Sequence, residues 1–423
     1  MNDAHIIIKN VGPIKDVDIN LNQINVFMGP QSSGKSTIAK IISYCSWLEK
    51  HVLLQNRIEK TLKKHLIEFH NLDENYFSED TYIKYQTFHC KIEYSGKKPE
   101  ATTASLRSES NFVFRNRKIE YIPAERNLVA IPGFQQYNKE QDNVLNFMND
   151  WMEAKQELGK GNNFYLPINS LSGVSYYFDK ESNVDYILLG NGKSITLRHS
   201  SSGLMSVTPL LILFDYIIQK IYLKEVFFTP FQRIQIKDKI ATINSDTERK
   251  LYESMFEAID KLGSGSNVSS EDLVKYQDAL CKLIGFDTKY NFSEVIVEEP
   301  EQNLFPETQQ KLIYYMLEMI NNDKDRNHQL VITTHSPYIL FSLNNCMMGG
   351  LVRDKIPEDK HNKFESSHAW IDPKKVSIYE IHDGTLKCIQ DEDGIIEENY
   401  LNQAYKENSA EYLSLLNYYD DEE

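Results

Sequence analysis

The stretch Ile24-Asn25-Val26-Phe27-Met28-Gly29-Pro30-Gln31-Ser32-Ser33-Gly34-Lys35-Ser36-Thr37 decides the fold of this chain. An apolar run from Ile24 to Met28 delivers a glycine-bounded loop, and a helical pattern begins at Ile38. Glycines let backbone N–H groups turn inward, so Gly29, Pro30, Gln31, Ser32, Ser33 and Gly34 read as a cradle for phosphates. Lys35 supplies a point charge to the β- and γ-phosphates, and the Ser36 hydroxyl, followed by Thr37, is placed to ligate Mg²⁺ at the helix N-terminus. A Gly/Ser turn that merely caps a helix uses similar letters. The strand before the loop and the helix after it separate the two readings.

Working outward, Ile38, Ile41, Ile42, Cys45 and Leu48 recur at helical spacing, and the pattern continues or restarts through Leu53, Ile58, Leu62 and Leu66. On the N-terminal side, His5 to Lys9, a Gly12-Pro13 turn, and Val17, Ile19 and Leu21 alternating with Asp16, Asp18 and Asn20 predict an antiparallel β unit with one buried face. Short strands are expected at Thr87 to Tyr94, Lys118 to Ile122, Val174 to Phe178, Asp185 to Leu189 and Ser194 to Leu197, with Asn191-Gly192 as a two-residue hairpin turn. Helix is expected from Asp142 to Leu158 and from Leu204 to Leu223. Lys224 to Tyr290 mixes charged helix with the linker-like Gly263-Ser-Gly-Ser-Asn267 and reads as a helical insertion.

Composition bounds the rest. With 423 residues, 41% of them hydrophobic, the chain can bury one large core with an insertion, or two. The expected division is an α/β head over residues 1–345, with the insertion at 224–290, and a C-terminal extension over 346–423 holding a β-hairpin, a helix and an acidic tail. Cys45, Cys90, Cys281, Cys346 and Cys388 are scattered and form no Cys-x-x-Cys pair, which points away from zinc and disulfides and toward a reducing cytoplasm. The N-terminus lacks the basic and apolar regions of a signal peptide. The longest apolar run, Val207 to Ile218, is interrupted by Pro209 and Asp215, so no membrane span is expected. A net charge of −15 argues against a nucleic-acid coat over the whole surface but leaves a local one open at Arg107, Arg115, Arg117 and Lys118. From Asp391 onward eleven acids face Lys406 alone, which reads as a solvated helix face or an acidic docking tail.

Two further segments complete a constellation. Glu294-Val-Ile-Val-Glu298-Glu299-Pro300-Glu301 is an apolar strand ending in acids. Beside the phosphate-loop strand it would bring Glu298 to Mg²⁺ and let Glu299 polarise the attacking water; the alternative is an acidic start to the helix near Pro306. Gln329-Leu-Val-Ile-Thr333-Thr334-His335-Ser336-Pro337 repeats the pattern of buried strand and polar tip, and His335 there can donate to a γ-phosphate oxygen.

With these segments in this order, and with Asn10-Val-Gly-Pro-Ile14, Tyr121-Ile-Pro-Ala-Glu-Arg126-Asn and Ser200-Ser201-Ser202-Gly203-Leu204, the chain resembles the ABC-type ATPases of the SMC-like and overcoming-lysogenization-defect branches. The resemblance implies a P-loop NTPase head with an N-terminal antiparallel β subdomain and a mixed or parallel central sheet. It also implies ATP and Mg²⁺ as cofactors and a homodimer or higher oligomer. Ser201, Ser202 and Gly203 would then form the signature that closes over the γ-phosphate of a second subunit, although the same residues also make a plain helix cap. Arg126 would contact the nucleotide or the opposing subunit, with Glu125 as its pair. Such ATPases usually carry Asp where this chain has Glu298, one methylene longer. Their nuclease-bearing relatives have a C-terminal acidic domain, and with fewer than ninety residues after His335 no such nuclease is expected in this chain. The role implied is a sensor or scaffold of a bacterial defence system with a separate effector. A DNA-repair ATPase and an ATP-binding switch with negligible turnover are the alternatives.

Overall fold

The computed structural model describes residues 4–55, 58, 61–99, 102–107, 115–131, 142–222, 230–260, 269–284, 290–416 and 418–419. Its frame is an 11-stranded sheet. In spatial order the strands are Thr102–Leu106, Cys90–Ser95, Phe77–Gln86, Ala4–Val11, Ile14–Leu21, Thr385–Cys388, Val376–His382, Ile24–Met28, Gln329–Thr334, Phe292–Glu298 and Arg117–Ile122. The first five are joined antiparallel, beginning with the expected hairpin that pairs Ile6 with Ile19 and Ile8 with Val17. The last five, from Val376–His382 to Arg117–Ile122, run parallel to one another, and Val376–His382 pairs antiparallel with Thr385–Cys388 on its other side. The fold is a mixed α/β head with an N-terminal antiparallel β region.

The parallel strands are buried on both faces, as such strands must be when helices cover them. Alternation assigns each residue to one side: Val26, Val297 and Ile332 join a core with the helices Ser202–Ile218, Pro306–Asn322 and Pro337–Val352. Phe27, Ile296 and Val331 join a second core with the phosphate-loop helix Lys35–Gln55. That helix ends at Gln55 and a new one, Leu62–Glu68, starts under a Thr61 cap that accepts from Lys64 N, so the pattern restarts. Ser202–Tyr222 is long and apolar enough in composition to pass for a membrane span, yet it is buried continuously from Ser206 to Ile218 inside the head.

The C-terminal hairpin is part of this sheet. Val376–His382 pairs with the phosphate-loop strand, Ile378 opposite Val26, and Thr385 pairs with Asp16. Residue 345 falls inside the helix Pro337–Val352. Within the described part of the insertion, helices Pro230–Ala241, Asp246–Asp260 and Ser270–Ile284 share a small core of their own around Ile236, Phe256 and Leu280. The Gly263–Asn267 linker and acids Asp420 to Glu423 lie outside the described residues.

Local structure departs from expectation in two strands. The strand expected from Thr87 begins at Cys90, because Thr87 turns the chain: its N–H donates to Cys90 O at 2.8 Å and its hydroxyl accepts from Cys90 N at 3.1 Å. The Asn191-Gly192 hairpin closes over three residues, not two. Leu189 N donates to Lys193 O, and Gly192 takes φ +79°, the left-handed residue that follows a type I turn.

Candidate active site

Three parallel strands, Ile24–Met28, Gln329–Thr334 and Phe292–Glu298, lie side by side and release their C-terminal ends at one edge of the sheet, where open α/β sheets bind ligands. The acidic strand was expected directly beside the phosphate-loop strand. Instead the His335 strand lies between them: Thr333 is opposite Phe27 on one side and Glu298 on the other. The histidine therefore stands centrally, with lysine to one side and glutamate to the other.

The loop itself folds as the spacing predicts. Ile38 N donates to Gly34 O to start the helix, and Gly34 takes φ +103° against the Pro13-Ile14 corner, where a Cβ would meet Ile14 Cδ1 at 2.4 Å. Only glycine fits there. Lys35 Nζ donates to Gly29 O at 2.9 Å and Pro30 O at 2.8 Å, and lies 3.3 Å from His335 Nδ1. Burial pushes its pKa down to about 8, against the opposing pull of Glu299 and Glu301. Ser36 is half-buried and Thr37 buried in the first helical turn, while Gln31 and Ser32 are exposed.

His335 Nε2 lies 3.0 Å from Glu299 Oε1. A lysine ammonium has no acceptor, so Nδ1 accepts from Lys35 and the ring proton sits on Nε2, donated to the carboxylate. That hydrogen bond, with the charges of Lys35 and Arg126 behind it, holds the Glu299 carboxyl below its usual range. Glu299 has φ +42°, and its N–H donates to Thr333 O at 3.0 Å. The turn after the strand thus aims its side chain back at the neighbouring strand tip.

Glu301 is the residue whose part the sequence did not disclose. Its Oε1 accepts from Thr334 Oγ1 at 2.8 Å and from His335 N at 2.7 Å, so it fixes the histidine's backbone. Burial raises its pKa. Its place as the third acid of the run was the available signal.

Arg126 was grouped with the nucleotide ligands, and the structure gives it another task. It is fully buried and donates to the carbonyls of Glu298 at 2.8 Å, Glu299 at 2.7 Å and Ser206 at 3.2 Å. Its fork is spent on backbone, so it positions the acidic turn. Of the basic residues considered for nucleic acid, Arg117 is buried against Glu49 and Glu294, and Lys118 against Glu120 and Asp150. They form internal ion pairs, not a surface patch.

Several buried polar atoms at these strand ends have no partner among the described residues: Ser33 Oγ, Glu298 Oε1, Glu301 Oε2 and Gln302 Oε1. Such atoms are costly unless a ligand satisfies them. Glu298 Oε2 accepts from Ala124 N at 3.4 Å, and the buried Tyr121 hydroxyl lies against the same carboxylate. A carboxylate oxygen without a hydrogen-bond partner at these strand ends is a donor of the kind a divalent cation takes, and Glu298 with the Ser36 hydroxyl would be the residues to hold Mg²⁺.

The signature-like segment makes a helix cap in fact: Ser201 Oγ accepts from Leu204 N at 3.3 Å at the start of Ser202–Ile218. Ser201 and Ser202 are nevertheless exposed, with the helix N-terminus behind them. Gly203 packs against the acidic turn, where a Cβ would stand 2.9 Å from Asn303 O.

Residues 285–340 match the family model described as AAA ATPase domain. No curated protein matches the chain. Among solved structures, the SMC head domain from Thermotoga maritima is 11% identical, over 94% of this chain and 100% of that one, with a TM-score of 0.38. An SmcHead bound to the C-winged helix domain of ScpA gives 10%, 91%, 96% and 0.36 in the same order. The recombination mediator protein RecF-ATPrS gives 11%, 92%, 99% and 0.32. The matched segment holds the acidic strand, Glu299 and His335. Together with the phosphate loop it faces, it supports an ATPase.

Proposed function

We propose that this chain is an ABC-type ATPase head that binds ATP with Mg²⁺ at Lys35, Ser36, Thr37 and Glu298 and hydrolyses it with Glu299. The observation that carries the reading is the relay from Lys35 through His335 to Glu299, with one bond at each ring nitrogen. Triphosphate entering the loop gives Lys35 a stronger acceptor than Gly29 O and Pro30 O. Released from lysine, His335 still donates its Nε2 proton to Glu299 and keeps that carboxylate in place. An ionised Glu299 then accepts the proton of an attacking water. Mg²⁺, when bound, screens the phosphate charge.

The exposed Ser201 and Ser202 at a helix N-terminus support a site completed by a second copy, since such an end favours phosphate. In that reading the protein is a nucleotide-gated dimer or higher oligomer in the cytoplasm, serving as sensor or scaffold of a defence system with a separate effector. The deciding experiment is phosphate release by purified protein, with ATP binding measured in parallel. Binding without release supports the switch reading, and neither binding nor release overturns the ATPase.

A further inference from the structure

The second sheet of the molecule is four-stranded and antiparallel, in the order Ser194–Thr196, Val184–Leu188, Ser175–Asp179, Phe164–Tyr165. Its inner face gives Phe164, Tyr176, Phe178 and Ile187 to the main core. Period-two alternation puts Tyr165, Tyr177 and Tyr186 together on the outer face. Tyr177 is directly opposite Tyr186, and the rings stack at 5.1 Å and 11°. Tyr165 is opposite Ser175, one diagonal step from Tyr177, and is 70% exposed. Over the rings of Tyr165 and Tyr177 opens a cavity of about 480 Å³ lined also by Leu188, Asn162, Asn163 and Lys160. That size suits a small planar ligand with hydrogen-bonding edges.

We propose that this outer face is a stacking surface for single-stranded nucleic acid. Tyr165 is exposed and Tyr177 and Tyr186 are half-buried, and an aromatic row on the outer face of a four-stranded sheet is what unpaired bases stack upon. Diagonal neighbours on adjacent strands stand about 7–8 Å apart, leaving room for a base on Tyr165 and another on Tyr177. Asn162 and Asn163 line the same cavity, with their Nδ2 groups donating to Glu157 O at 2.6 Å and Ser175 Oγ at 3.3 Å. Lys160, Lys180, Lys193 and Arg198 are exposed in the loops and turns around it and can meet the phosphates between bases. Of the acids there, Asp185 is held on the inner side by Lys155, and Asp179 is engaged by Ser182 Oγ and Glu181 N. Glu157 and Glu181 remain exposed. A duplex keeps its bases stacked internally and cannot use the rings, so the surface selects single strands.

The test is fluorescence anisotropy with a labelled oligothymidylate, the matching duplex and thymidine monophosphate, at several salt concentrations. The single strand should bind, more weakly as salt rises, and more tightly than either comparison ligand. Tyr165→Ala and Tyr177→Ala should each raise Kd about tenfold, the scale of one lost base stack. Tyr177→Phe should retain affinity, and circular dichroism should show all variants folded. Lys35→Ala should bind the oligonucleotide as the unaltered protein does. Absent binding, equal affinity for duplex, alanine variants that bind normally, or loss of binding in Lys35→Ala would each overturn the proposal. Thymidine monophosphate binding as tightly as the strand would overturn it in favour of a free-nucleotide site.

Discussion

Lys35 is buried, positively charged and bonded to two carbonyls of its own loop. Lys35→Ala should weaken ATP binding by roughly ten- to hundredfold, the worth of a charged hydrogen bond, with little loss of stability, as titration calorimetry and urea denaturation would report. Its pKa also sets a pH dependence. The free protein loses the lysine proton near pH 8, while bound phosphate would hold it to higher pH. ATP affinity should thus be flat below that point and fall by up to about tenfold per pH unit above it. Stability should move the opposite way. Because the folded-state pKa lies below the unfolded value of 10.5, this group's contribution to stability improves as pH rises from about 8 toward 10.5. Glu299→Gln should keep ATP binding and lower turnover by roughly a hundred- to ten-thousandfold in a single-turnover assay, since an amide cannot accept the proton. Normal turnover in that variant would transfer the role to Glu298 or Glu301.

At the scale of elements, the strand Arg117–Ile122 and the phosphate-loop helix are clamped by charge. Arg117 lies between Glu49 of the helix and Glu294 of the adjacent strand, with Ser46 Oγ donating to Glu294 at 2.8 Å. Arg117→Met leaves two buried carboxylates unpaired and should cost about 3–5 kcal/mol in urea denaturation. The signature helix calls for more care. A side chain at Gly203 would press on Asn303 O within the same subunit, so Gly203→Asp disturbs the acidic turn as well as any interface. Ser202→Glu is the cleaner probe, since it is exposed and an acid in the first helical turn complements the helix dipole. It should leave ATP binding intact and abolish turnover by placing a carboxylate against a partner's phosphate. Mixing it with Glu299→Gln should restore part of the activity through one intact composite site. Full activity of Ser202→Glu alone would reduce Ser201 to Gly203 to a helix cap.

Across the whole molecule, what could be read beforehand was whatever chemistry writes locally. The phosphate loop shows its glycines and lysine in sequence, and both polar-tipped strands show apolar runs closed by Glu298 or His335. Strand order was not written there, because it depends on which parallel neighbours pack best across residues far apart in the chain. Hence the histidine strand between lysine and glutamate came as a finding. Arg126 was grouped with nucleotide ligands for a related reason: an arginine beside Glu125 has the same letters whether it faces a ligand or donates to the backbone carbonyls of the acidic turn. Tyr177 and Tyr186 were legible as strand residues but not as a surface, since only the register places them opposite each other, and the short strand Phe164–Tyr165 was not expected at all.

The seating of Val376–His382 beside the phosphate-loop strand has a bearing on how the protein is made. Synthesis runs from the N-terminus, so Ile24–Met28 emerges long before either strand that flanks it in the sheet. Until the ribosome has passed His382, the loop that would hold ATP hangs from a strand with an open edge, a template for mispairing. Nascent chains stopped short of Val376 should therefore aggregate or recruit chaperones and fail to retain nucleotide, while chains released beyond Cys388 should retain it. The last strands to arrive are those that turn an exposed edge into a closed site.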